Sequence, residues 1–245
     1  MSAKTHASSG KTTKINDTIN GENAGRRRSS AILRDDMVNI LMFIPNLIGY
    51  ARILLLVLMF YFHELDRKWL VVVTYLVFSV LDIVDGAAAR HLDQRSQFGA
   101  FMDVVLDNFG RSFLWAGYNP IAGAVFGSVE WMTFSLIQVA AKQGMSDWKT
   151  KHFEEAPAFF RYLMSNNLKN PLGTWCMAGQ FLLPLQLYAG RYGLEVPFNQ
   201  AVLIIMIMGR ALGLAIEAFV VYGAVKNMLS EDATVNRLKS KGSST

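Results

Sequence analysis

The sequence predicts an all-α, polytopic membrane protein with six transmembrane helices and an amphipathic juxtamembrane helix ahead of the first. Three observations carry this. Hydrophobic residues make up 52% of the 245 residues and charged residues only 18%, a balance typical of membrane-integral chains once the apolar residues fall in long runs. Six such runs alternate with polar connections. Basic residues crowd the tails and every second connection and are scarce in the others, the asymmetry that fixes topology.

Taken in order, residues 1–29 are rich in Ser, Thr, Lys, Asn and Gly, cannot bury enough apolar surface to order themselves, and read as a disordered cytosolic tail. They lack the apolar core of a signal peptide. Asn16-Asp17-Thr18 matches a glycosylation sequon but falls on the cytosolic side, and Arg26-Arg27-Arg28 is a positive topology flag. Ser30 can cap a helix in which Leu33, Met37, Ile40 and Leu41 share one side. That helix either lies on the cytosolic leaflet or extends the first span.

The first span is read as 42–62, with Pro45 near its start, where proline is tolerated. Asn46 and Arg52 are its polar exceptions, and the plain reading of Arg52 is a partner for a neighbouring carboxylate. The second span covers 69–88 and the third 97–118, ended by Asn119-Pro120. The fourth covers 121–141 and contains Glu130. The longest connection, 142–169, mixes charges with Trp148, Phe153, Phe159 and Phe160, as an interfacial segment does. The fifth span, 172–189, contains Pro184. The sixth, 201–225, carries Arg210 and Glu217, which share a face and can pair only with bent side chains or through an intermediary. The membrane domain is set at 30–228, followed by a flexible cytosolic tail at 229–245. The single cysteine, Cys176, excludes an intramolecular disulfide and a cysteine-rich metal site, and is read as packing.

With both termini cytosolic, the outer connections hold only Arg67, Lys68 and Arg191, and the remaining loop and tail cations lie inside. The net charge of +5 therefore reads as a topology signal and an attraction to anionic lipid, not as a nucleic-acid surface.

The chemistry concentrates between Asp82 and Asp107. Asp82 and Asp85 are three residues apart, and Gly99, Asp103 and Asp107 follow at intervals of four, so each set forms one stripe on a helix face. A short turn lets the two stripes face each other. Four carboxylates at low dielectric cannot all stay ionised without compensation, and hard divalent cations are the simplest source of it. All-oxygen ligands favour Mg²⁺ or Mn²⁺ over zinc. Gly86 and Gly99 leave room for close approach of a backbone or ligand. Arg90, beyond Asp85, offers a bidentate grip on phosphate.

The pattern Asp82-x2-Asp85-Gly86-x2-Ala89-Arg90-x8-Gly99-x3-Asp103-x3-Asp107 resembles, position for position, the signature of the CDP-alcohol phosphotransferases. Over 39–107 the chain also resembles the eukaryotic phosphatidylinositol synthase branch, beginning with Pro45-Asn46-Leu47-Ile48-Gly49-Tyr50-Ala51-Arg52. The resemblance implies a homodimeric enzyme of the endoplasmic reticulum, its site at the cytosolic leaflet. It implies Mg²⁺ or Mn²⁺ on Asp82, Asp85 and Asp103, with Asp107 as base and also able to reach the metal. It implies that Asn46 and Arg52 face the nucleotide pocket, beside Gly86, Arg90 and Gly99. The implied partners are CDP-diacylglycerol, membrane lipid and an acceptor alcohol, myo-inositol, with CMP released. Downstream the chain departs from that branch: Asn108 stands where it tends to have arginine, and Glu130 replaces an Asp that a Ser-His pair would follow. Three rivals stay open: another acceptor such as glycerol phosphate, serine or a different polyol; a non-catalytic CDP-lipid-binding paralogue; and an ion-coupled transporter, which would also use buried carboxylates.

Overall fold

All six long apolar stretches fold as α-helix, and no strand occurs among the described residues. The computed structural model describes residues 33–142, 156–194 and 200–242. The expectations for the tail at 1–29, for the Ser30 cap and for 143–155 of the 142–169 connection lie outside those residues.

A short helix α1 (33–41) leads into α2 (Ile44–Glu64). Then follow α3 (Lys68–His91), α4 (Gln97–Tyr118), α5 (Pro120–Lys142), the short α6 (Ala158–Met164) with a 3₁₀ turn at Ser165–Leu168, α7 (Pro171–Arg191) and α8 (Gln200–Gly242). Their ends follow local chemistry. Pro45 sits in the first turn of α2, where its missing N–H costs nothing. Ser96 caps α4 by accepting from the Gly99 N–H at 3.0 Å. Asn119 accepts from the N–H groups of Ile121 and Ala122, and Asn170 from that of Gly173, so each break is also the start of the next long helix. Pro184 lies inside α7 without ending it.

The last helix differs from the expectation that it ends near residue 225. It runs 43 residues, roughly 64 Å at 1.5 Å per residue, about twice the hydrocarbon thickness of a bilayer. No Gly or Pro interrupts 226–241, and helix formers such as Lys226, Met228, Leu229 and Glu231 carry it on. Its side chains from Leu229 to Arg237 are exposed.

Among the described residues, four helices, α2, α3, α5 and α8, are long and apolar enough to cross a membrane. The chain is an integral membrane protein by that measure. The other two long helices, α4 and α7, reach spanning length, 22 and 21 residues, but are more polar. Both pack against several neighbours, while α4 leaves Phe98, Phe101, Val104 and Phe109 exposed. α4 packs against α2, α5 and α7, while α7 packs against α4 and α8. A helix face turned into the bundle can carry polar groups. α4 uses that freedom for Asp103, Asp107 and Arg111, and α7 for Gln180 and Gln186.

The main core lies where α2, α3, α4 and α7 meet, around Met59, Val71, Tyr75, Phe78, Leu114 and Tyr188. Phe160 of α6 stacks on Phe219 of α8 at 4.4 Å, and Leu163 is fully buried, so α6 is docked onto the bundle. Along α1 the apolar side chains stay uncovered, Leu33 by 60% and Met37 by 64%. The carbonyls of its last residues are held from α2: Asn46 Nδ2 donates to Ile40 O and Tyr50 Oη to Leu41 O.

Candidate active site

The turn between α3 and α4 brings the two acidic stripes together. It is short, 92–96, and Asp93 takes a left-handed conformation at φ 52° to reverse the chain. Gln94 in that turn accepts from the Ile44 N–H at 2.9 Å, tying the reversal to the start of α2. Asp82 and Asp85 near the end of α3 thus face Asp103 and Asp107 on α4.

Arg52 of α2 enters between them, with no exposed surface of its own. Its Nη1 lies 2.9 Å from Asp82 Oδ1, 3.0 Å from Asp85 Oδ2 and 2.8 Å from Asp103 Oδ1. Its Nη2 lies 2.6 Å from Asp107 Oδ1. The guanidinium face rests on the Phe78 ring at 4.5 Å. The plain sequence reading, a partner for one neighbouring carboxylate, is therefore too small: Arg52 holds four. One shared guanidinium does not balance four partly buried carboxylates, and the site keeps a demand for positive charge.

Asp82, Asp85 and Asp103 each offer one oxygen, and these oxygens lie within 4.8 Å of one another. Hard cations sit about 2.0 to 2.6 Å from carboxylate oxygens, so three oxygens this close match one shared ion. The donor set is all oxygen and partly buried, which fits a divalent metal. Asp107 stands outside this trio. It is bound instead through Arg52 and, at 3.4 Å from Oδ2, through Arg111 Nη1.

A cavity of about 550 Å³ opens beside the cluster. Arg52, Asp85, Asp103 and Asn46 form its inner wall, Gly86, Arg90 and Gly99 its sides, and Arg95 and Lys169 its cationic rim. The two glycines act differently. A Cβ on Gly99 would fall 2.7 Å from Asn46 Oδ1, so the bare position is what admits the Asn46 amide. Beside Gly86 the space is taken by the Arg90 guanidinium at ordinary contact distance. Arg90 is exposed and forms no ion pair with a described residue, which leaves its fork for an anion.

All nine residues singled out in the sequence gather here: Asn46, Arg52, Asp82, Asp85, Gly86, Arg90, Gly99, Asp103 and Asp107. Asp82 and Asp107 do not line the cavity itself. Two rim cations went unassigned in the sequence. Arg95, in the 92–96 turn, is exposed as well as cavity-lining. Lys169 comes from a connection distant in sequence and carried no local signal.

The remaining polar exceptions lie deeper. Glu130 accepts from Arg111 Nε at 2.8 Å and from Arg210 Nη2 at 3.3 Å. Arg210 Nη1 reaches Glu217 Oε2 directly at 3.1 Å, and Glu130 stands beside them as a further partner. None of Arg111, Glu130, Arg210 and Glu217 lines the cavity, and Arg161 is exposed away from it. Arg111 could have been found from the sequence. It is a lone cation four residues after Asp107, in an apolar helix.

Comparison with known proteins bears on what the site is for. The CDP-alcohol phosphatidyltransferase family model matches residues 42–228, most of the chain and all of the site. The chain belongs to this CDP-alcohol phosphatidyltransferase family. It is similar to the CDP-diacylglycerol–inositol 3-phosphatidyltransferase of Schizosaccharomyces pombe, 42% identical over 88 residues, 34% of this chain and 37% of the relative. The protein of that name from Homo sapiens is 45% identical over 72 residues, 28% of this chain and 32% of the relative. That from Drosophila melanogaster is 40% identical over 79 residues, 31% and 34% of the two chains. The similarity thus spans about a third of each of these relatives' length. No solved structure matches the chain. For a CDP-alcohol phosphatidyltransferase the geometry is apt, since a carboxylate trio, a spare arginine and a basic rim surround a cavity of nucleotide size.

Proposed function

We propose that the protein transfers the phosphatidyl group of CDP-diacylglycerol to myo-inositol, forming phosphatidylinositol and CMP. The observation that carries this reading is the trio Asp82, Asp85 and Asp103 with Arg52, set at a cavity that Arg90 also lines. The names of the similar proteins support the choice of donor and acceptor.

In this reading Mg²⁺ or Mn²⁺ held by the trio supplies charge neutralisation for the diphosphate. Arg90 grips a phosphate oxygen, and Arg52 and Asn46 hold the nucleotide end. The acceptor hydroxyl oxygen attacks the phosphorus that bears diacylglycerol, and the bond from that phosphorus to the CMP oxygen breaks. Asp107 takes the hydroxyl proton. Fixing donor and acceptor in one cavity lowers the barrier by making the attack intramolecular.

The membrane arrangement follows from the same reading. Six helices, α2, α3, α4, α5, α7 and α8, cross the bilayer with both ends of the membrane domain cytosolic. α1 lies on the cytosolic leaflet with its apolar face in lipid, and the cavity opens at headgroup depth. The enzyme is a homodimer of the endoplasmic reticulum.

The alternative acceptor is glycerol phosphate: Arg95 and Lys169 line the cavity together with Arg90, a set of charges that the donor's diphosphate also calls for. A panel assay decides. Purified protein with CDP-diacylglycerol and Mn²⁺ is given inositol, serine or glycerol phosphate, and lipid products are resolved. Product with inositol alone supports the first reading. Product with glycerol phosphate and none with inositol replaces it, and CDP-lipid binding without any product points to a non-catalytic paralogue.

A further inference from the structure

Behind the cavity, a line of alternating charges runs from Asp107 across the bundle. Arg111, one turn on in α4, is held on every edge. Its Nε donates to Glu130 Oε2 at 2.8 Å, its Nη2 to Asn108 Oδ1 at 2.6 Å, and its Nη1 faces Asp107 Oδ2 at 3.4 Å. The Phe181 ring of α7 covers its face at 4.8 Å. Glu130 of α5 is itself clamped, since its other oxygen takes Arg210 Nη2 of α8 at 3.3 Å. Arg210 is fixed in turn by Glu217 at 3.1 Å, and Gln180 of α7 donates to Glu217 at 3.2 Å. The side chains of Arg111, Glu130 and Arg210 are 7%, 3% and 2% exposed.

A line of paired charges at this depth could serve packing alone, and two features argue for more. First, the pairs are a poor way to gain stability, because desolvation offsets most of what their attraction returns. Second, the line ends on Asp107, whose two oxygens face different arginines: Oδ1 takes a hydrogen bond from Arg52 of α2 at 2.6 Å and Oδ2 forms an ion pair with Arg111 at 3.4 Å. The carboxylate cannot turn without losing one grip. None of the deeper residues lines the cavity, and Arg111 is the member of the line that contacts Asp107.

We infer that Glu130 is a positioning residue: by fixing the Arg111 guanidinium, it sets the orientation of the Asp107 carboxylate. This rests on the reading of Asp107 as the base. Geometry at a reacting group is steep, and a displacement near 1 Å can cost about a hundredfold in rate. Arg210 and Glu217 anchor Glu130 but lie a further step away.

The test compares Glu130→Gln with Glu217→Gln, which removes an equally deep charge from the far end of the same line. Steady-state turnover of CDP-diacylglycerol is measured with Mn²⁺, alongside melting temperature and Mn²⁺ affinity by electron paramagnetic resonance without lipid substrate. The expected result is a fall in kcat of tenfold or more for Glu130→Gln, with KM for CDP-diacylglycerol and Mn²⁺ affinity within about threefold of wild type. Glu217→Gln is expected to keep kcat within threefold, whatever its melting temperature. Equal losses in both variants, or a normal kcat in Glu130→Gln, overturn the inference. A tenfold change in Mn²⁺ affinity also does, since the effect would then pass through the metal trio. If Glu130→Gln does not fold, Asn108→Ala releases another edge of Arg111 and carries the test, with a several-fold fall in kcat at constant KM expected and an unchanged kcat overturning it. Absence of turnover in the wild type overturns this inference and the proposed function together, whereas wild-type turnover with a normal Glu130→Gln overturns this inference alone.

Discussion

Arg52 Nη1 lies 2.8 Å from Asp103 Oδ1, and the same nitrogen touches all three carboxylates suited to a divalent cation. Guanidinium and metal therefore draw on the same three carboxylates. Arg52→Met frees those oxygens and leaves the trio without its cation. Added Mn²⁺ is expected to raise the melting temperature of Arg52→Met by more than it raises that of the wild type. An equal or smaller gain, measured by thermal unfolding in detergent, would mean that the arginine and the ion do not share ligands.

Gly99→Ala separates folding from binding. Alanine in a helix interior is favoured over glycine by about 1 kcal/mol, yet its Cβ would fall 2.7 Å from Asn46 Oδ1. Moving the Asn46 amide also breaks its 2.6 Å bond to Ile40 O. The variant is expected to fold and to bind CMP about tenfold more weakly by calorimetry. Wild-type CMP affinity would remove Asn46 from the nucleotide site.

The carboxylates divide by partner. Asp82→Asn, Asp85→Asn and Asp103→Asn each remove one oxygen charge from the trio and are expected to weaken Mn²⁺ binding tenfold or more. Asp107→Asn, outside the trio, is expected to change it by less than threefold. Equal weakening in all four, read by electron paramagnetic resonance, would place Asp107 among the ligands.

Topology has its own check. In a Cys176→Ser background, Arg67→Cys and Arg95→Cys put single thiols at opposite ends of α3. Membrane-impermeant thiol reagents are expected to label the two positions from opposite sides of sealed microsomes. Labelling from one side contradicts a spanning α3.

The helices and the acidic stripes were legible because both are local. A long apolar run marks each span, and the third falls at 97–118, as observed for α4. Intervals of three and four put Asp82, Asp85, Asp103 and Asp107 on two faces, and a short turn leaves those faces little choice but to meet. What escaped depends on which helices become neighbours. Nothing near Arg52 in sequence says that it will meet four carboxylates 30 to 55 residues away. Glu130, Arg210 and Glu217 show as polar exceptions, yet their joining partner, Arg111, lies on α4 and enters the line only after α4, α5 and α8 pack. The end of α8 escaped for another reason: hydropathy marks where a helix leaves apolar surroundings, not where its backbone stops being helical.

Asp107→Asn reports most directly on the central claim, that opposed acidic helix faces beside this cavity drive phosphatidyl transfer with Asp107 as base. The substitution keeps the size of the side chain and removes its capacity to accept a proton. Purified wild type and variant are compared for CDP-diacylglycerol binding and for release of CMP with an acceptor alcohol and Mn²⁺. The expected result is wild-type CMP release matched by an equal amount of lipid product, with at least a thousandfold less from the variant at near-normal CDP-diacylglycerol affinity. Turnover by Asp107→Asn within tenfold of wild type would contradict it.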